Sequence, residues 1–198
     1  MIKRVLTNKY FNLAWLLFGC VYFTWFGFLK NPNEYTASMI GLEYYWGFKF
    51  WGIIQSIALA LNILYMYRRY GHISKFGITY CCLAAVFIIV NVCIPSTEIF
   101  SFQLVAHWGT ALLFAFAIIA AVSLVPLRFA RQSKRMLATL MIYLSTMAAM
   151  ITLLAVLGKS GTIENLPLWA TYLALFLLNY TGLYRKCLSR NDAQETPV

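Results

Sequence analysis

Two histidines, six carboxylates and five cysteines are the groups in this chain best suited to proton or nucleophile chemistry. His107 stands about one turn inside a long apolar run, where an imidazole is costly to bury without a partner. Glu98, in IPSTEIFSFQLVAHWG, or Glu43, in NPNEYTASMIGLEYYWGFKFWG, could supply that partner. A histidine–carboxylate pair could move a proton or orient a lipid headgroup. The structural alternative is a neutral imidazole bonded to a neighbouring helix. Trp46 and Lys49 share the aromatic stretch of Glu43, so the expected ligand-binding set is His107, Glu98, Glu43, Trp46 and Lys49.

A second candidate is the stretch Arg68-Arg69-Tyr-Gly71-His72, followed 9 and 10 residues after the histidine by Cys81 and Cys82. A thiolate activated by His72 would be a nucleophile. The two thiols face different directions on a helix, so at most one could serve. The structural alternative is a basic loop with a solvated His72 and two packing thiols. A third candidate is an aromatic cage for a small solute, built from Tyr44, Tyr45, Trp46, Trp51 and Trp169. Only two histidines are present and no CxxC or HExxH occurs, so neither a metal centre nor a cofactor is expected. There is no glycine-rich phosphate loop and no G-x-S-x-G elbow.

The elements that must position these residues follow from composition. The chain has 198 residues, 62% hydrophobic and only 11% charged, against about 25% charged in soluble domains. So few charges cannot cover so much apolar surface in water. The bilayer is therefore the expected solvent. A bilayer core of ~30 Å needs ~20 apolar residues in a helix. Six segments qualify, at residues 11–29, 46–67, 76–94, 104–127, 136–157 and 166–184. Pro126 falls near the end of the fourth, where it suits a helix terminus. The expected fold is an all-α polytopic bundle over residues 1–190, with a short polar tail at 191–198.

Charge placement orients that bundle. Lys3, Arg4, Lys9, Arg68, Arg69, Lys75, Arg128, Arg131, Lys134, Arg135, Arg185, Lys186 and Arg190 are 13 of the 16 basic residues, and all fall on one side. Lys30, Lys49 and Lys159 fall on the other. The positive-inside rule then puts both termini in the cytoplasm. Glu34, Glu43, Glu98 and Glu164 lie outside, with Trp25, Trp46, Trp51, Trp108 and Trp169 near the same interface. The net charge of +10 is spread beside apolar segments, so membrane lipids are the expected partners and nucleic acid is not. A protein partner or a second copy within the membrane is compatible with this layout. No charged residue falls near mid-span, which argues against a pump or voltage sensor. Gln55, Asn62, Asn91 and Asn179 are the strongest mid-span polar groups, suited to hydrogen bonds between helices.

Ser38-Met-Ile-Gly41 and His107-Trp-Gly109-Thr-Ala111, followed by Phe114 and Phe116, resemble the S-x-x-G and H-x-x-G-A…F patterns of six-span DRAM/Sfk-type membrane proteins and their bacterial relatives. The resemblance implies a membrane-organising or lipid-handling role, with no transferable activity. The Arg/Gly/His stretch before Cys81 looks like that of six-span membrane cysteine peptidases that mature quorum-sensing peptides, though its His-to-Cys spacing is longer. Substrate-capture subunits of vitamin importers share the length and topology alone. The leading expectation is an integral membrane protein that binds or organises lipid at the outer leaflet. A small-solute permease subunit and a membrane cysteine peptidase using His72 with Cys81 or Cys82 are the alternatives. Whether it is an enzyme stays open. The only glycosylation-type sequon, Asn179-Tyr-Thr181, falls inside the sixth segment, which favours a bacterial plasma membrane.

Overall fold

Small polar residues mark most helix starts. Asn8, Thr36, Ser74, Ser101 and Ser160 each accept a hydrogen bond from the backbone N–H three residues on, which satisfies a donor the helix itself leaves open. Ser133 does the same for Met136 at 3.4 Å. The computed structural model describes residues 8–95, 101–157 and 160–187. Among them are seven α-helices and no strand: α1 Lys9–Gly27, α2 Ala37–Glu43, α3 Tyr45–Arg69, α4 Lys75–Cys93, α5 Phe102–Phe129, α6 Lys134–Leu157 and α7 Gly161–Tyr180. A 3-10 segment, Gly182–Cys187, follows.

Five of these helices, α1, α3, α4, α5 and α6, are long and apolar enough to cross a membrane. They make the chain compatible with an integral membrane protein. The sixth expected span falls outside this group. Residues 166–184 do form a helix over most of their length, but α7 is not among the five. Glu164, Asn165, Pro167, Thr171 and Asn179 dilute its apolar character. Two further differences are local. Residues 37–43, expected as loop, form the short helix α2. The fourth segment does not stop at Pro126, because α5 runs three residues past it to Phe129.

The long helices alternate in direction, which gathers the described carboxylates at one end and the described arginines at the other. At one end Glu43 pairs with Lys30, and the 31–35 loop binds the start of α7 through Thr162 N–H and Pro32 O at 3.1 Å. Here this is called the glutamate end. At the other, Arg128 meets His72 and Arg135 meets residue 183. This is the arginine end. Between them α3 covers 25 residues, about 37 Å at 1.5 Å per residue.

Polar side chains pin the helices together across an otherwise apolar core. Gln55 Nε2 donates to Gly19 O at 3.1 Å, and Tyr172 OH donates to Gln55 Oε1 at 2.5 Å, joining α1, α3 and α7. Asn62 Nδ2 donates to Asn12 O at 3.1 Å, while Asn62 O accepts from Asn179 Nδ2 at 2.9 Å and its Oδ1 accepts from Tyr180 OH at 2.6 Å. Tyr67 OH donates to Ala121 O at 2.6 Å and ties α3 to α5. All four mid-span amides singled out from sequence make contacts between helices. Gly19 permits a close approach of α1 to α3, since a Cβ there would lie 2.7 Å from Ala58 Cβ.

Candidate functional site

His107 sits in the second turn of α5 and is 3% exposed. Its Nδ1 lies 2.8 Å from Ile94 O, just past the end of α4. A backbone carbonyl only accepts, so Nδ1 carries the proton in this contact. Asn91 locks the same junction by donating to His107 O at 2.7 Å and to Thr110 Oγ1 at 3.1 Å. The ring is therefore held in one orientation by two helices.

Beside it, in the half of the bundle nearer the glutamate end, is a cavity of about 230 Å³. Its wall is mostly apolar, with Phe48, Ile88, Ala111, Ala115, Met147 and Leu168 among the residues contributing. Its polar members are few: Ser38, Asn91, His107, Glu164, Asn165 and Thr171. A cavity needs only ~10–15 Å³ to take one water, so this one has room for part of an organic molecule. Trp108 and Leu112 also line it, and both are about half exposed on the outside of α5. The cavity thus adjoins the apolar flank of the bundle. On its wall the Trp51 Nε1 is buried with no hydrogen-bond partner among the described residues. The same holds for Asn165 Nδ2, which is turned toward Gly27 of α1.

Of the residues expected to bind a ligand, His107 lines this cavity, and Ser38 joins it from α2 with its hydroxyl 3.0 Å from Thr36 Oγ1. Gly41 lies flat against Phe48. Glu43, Trp46 and Lys49 are not among its lining residues. Glu43 is committed to Lys30, whose amine is pushed up in pKa by that hydrogen bond and also lies 4.6 Å from the Tyr35 ring. Lys49 sits 4.1 Å from the Tyr45 ring centroid and 5.1 Å from that of Trp46. Two of the five aromatics envisaged as a ligand cage thus hold a cation of the chain itself, while Trp51 lines the chamber. Glu98 lies outside the described residues. Glu164, Asn165 and Trp51 were not singled out together from sequence. Glu164 reads there only as an outside carboxylate and Asn165 is not singled out; packing brings both to the wall.

The alternative nucleophile, His72 with Cys81 or Cys82, forms no hydrogen-bonded pair among the described residues. His72 Nδ1 accepts from Arg128 Nη1 at 2.6 Å. Cys81 is buried with its Sγ 3.9 Å from Ala60 O, and Cys82 is exposed.

Fold and cavity together define a helical protein with five bilayer-suited helices and a mostly apolar chamber near one end. No family model, curated protein or solved structure matches the chain.

Proposed function

We propose that this is a six-span membrane protein that binds a lipid or similar amphiphile in the chamber beside His107, in the outer-leaflet half of the bilayer. The chamber itself carries this reading: an apolar wall with a small set of polar groups on it. That combination suits a molecule with an apolar chain and a modest polar head. Trp108 and Leu112, half exposed beside it, give a chain a route in from the bilayer. His107, oriented by Ile94 and Asn91, would hold the head.

The membrane orientation rests on charge. With α7 as the sixth span, the arginine end faces the cytoplasm and both termini lie there. The cell membrane, bacterial in the favoured case, is then the location. Few helices are better placed than α7 to tolerate polar residues, because its Asn165, Thr171, Tyr172 and Asn179 are buried against other helices rather than lipid. A lipid-handling role is also what the resemblance at Ser38–Gly41 and His107–Ala111 implies.

The experiment is photo-crosslinking with a phospholipid carrying a diazirine in its chain, followed by peptide mapping. Labelling concentrated at Leu112, Met150 and Leu154 is expected. Labelling spread evenly over all lipid-facing helix surfaces would refute a defined site.

A further inference from the structure

Arg69 is the last residue of α3 and only 5% exposed. An arginine keeps its charge in proteins, and a buried charge is costly unless paired and hydrogen-bonded. Yet among the described residues its Nε is buried without a partner, and its Nη2 makes only a long 3.5 Å contact to Thr181 O. The nearby phenols are directed elsewhere: Tyr70 OH donates to Leu178 O and Tyr180 OH to Asn62 Oδ1.

Its neighbours deepen the imbalance. Arg135 Nη1, from the start of α6, donates to Leu183 O at 3.2 Å. Two guanidinium groups from different helices therefore converge on residues 181–183. Arg128 is held by a neutral imidazole rather than an acid. Among the described residues the single ion pair, Lys30–Glu43, lies at the opposite end of the bundle. The described carboxylates are Glu34, Glu43 and Glu164, all at that opposite end. The arginine end thus presents fork-shaped donors without a described carboxylate to receive them.

We infer that Arg69 and Arg135 form a binding site for a phosphate group, supplied by the headgroup of an anionic lipid in the cytoplasmic leaflet. Guanidinium groups match phosphate oxygens in bidentate geometry, and the juxtamembrane level of Arg69 is where such headgroups lie. This site is separate from the chamber beside His107 and does not depend on it.

The test is thermal unfolding of the full chain in nanodiscs of phosphatidylcholine alone and of phosphatidylcholine mixed with phosphatidylglycerol. Wild type should gain several degrees from phosphatidylglycerol. Arg69→Gln should be at least as stable as wild type in phosphatidylcholine, because it removes an unpaired buried charge, and should gain little from phosphatidylglycerol. Its apparent affinity for that lipid should fall on the order of tenfold, and Arg135→Gln should weaken binding in the same direction. Inorganic phosphate is titrated into the phosphatidylcholine samples as a separate arm. Stabilisation by phosphate that is lost in Arg69→Gln supports the site and assigns it to a free anion. Equal destabilisation of Arg69→Gln in both lipids would overturn the proposal, since Arg69 would then be structural. A chain ending at Arg190 completes the set. If phosphatidylglycerol stabilises only this shortened chain, the carboxylates of the tail are the natural occupant and the lipid site is refuted.

Discussion

The side-chain amide of Asn91 donates to the backbone carbonyl of His107 at 2.7 Å, so the end of α4 fixes the histidine that faces the chamber. Asn91→Leu removes this bond and the one to Thr110 while keeping the volume similar. Hydrogen bonds between membrane helices contribute about 0.6 kcal/mol on average and up to ~2 kcal/mol. A loss of that size should appear in thermal unfolding. Amide exchange should rise around residues 91–94 and 105–110, with the far end of α4 unaffected. No change in exchange there would mean the junction is not held by this bond.

Gln55 links Gly19 and Tyr172, and this three-helix latch lies deep in the bundle. Tyr172→Phe leaves Gln55 Oε1 without its donor, and an unsatisfied buried group costs ~1–3 kcal/mol. Gln55→Leu removes both bonds and strands the buried Tyr172 hydroxyl instead, so it should cost a similar amount. Gly19→Ala should be the most damaging of the three, because its Cβ meets Ala58 at 2.7 Å and crowds the Tyr172 hydroxyl. Chemical or thermal unfolding in nanodiscs ranks them; an unaffected Gly19→Ala would contradict the close packing of α1 on α3.

His72 accepts from Arg128, which an imidazole can do only when Nδ1 is unprotonated. Burial, and then the adjacent Arg128 charge, hold its pKa below the ordinary 6.5. A lowered pKa means that the folded chain resists a proton which the unfolded chain accepts. Stability from this contact is therefore complete above pH ~6.5 and declines as pH falls toward the lowered folded value. His72→Gln should flatten that decline. Histidine ring chemical shifts followed against pH measure the pKa directly, and a value above 6.5 would contradict the contact.

Much of the frame was legible because a bilayer imposes a simple rule on sequence. Five of the six apolar segments are helices suited to crossing it, and Gln55, Asn62, Asn91 and Asn179 bond between helices as polar groups in lipid must. The sixth was harder to weigh because α7 is buried by neighbours, and a helix shielded by protein need not be as apolar as one facing lipid. Position along a span also placed His107 at a junction. Which carboxylate or aromatic stands near it was not legible. Glu43 and Trp46 are close to the interface in sequence, but local pairing with Lys30 and Lys49 absorbs them. The chamber arises where α3, α4, α5, α6 and α7 fail to fill space between them. No periodicity within one helix records such a gap.

The most direct test of the chamber is to fill it. Ala115, on its wall, is replaced by Phe, and small molecules retained by wild type and Ala115→Phe through detergent exchange are compared by mass spectrometry. Circular dichroism confirms equal helix content. The expected result is one amphiphile enriched in wild type and lost from Ala115→Phe, with His107→Ala retaining less of it than wild type. If all three proteins carry the same bulk lipids in the same proportions, the chamber holds no specific ligand and the lipid-binding reading is wrong.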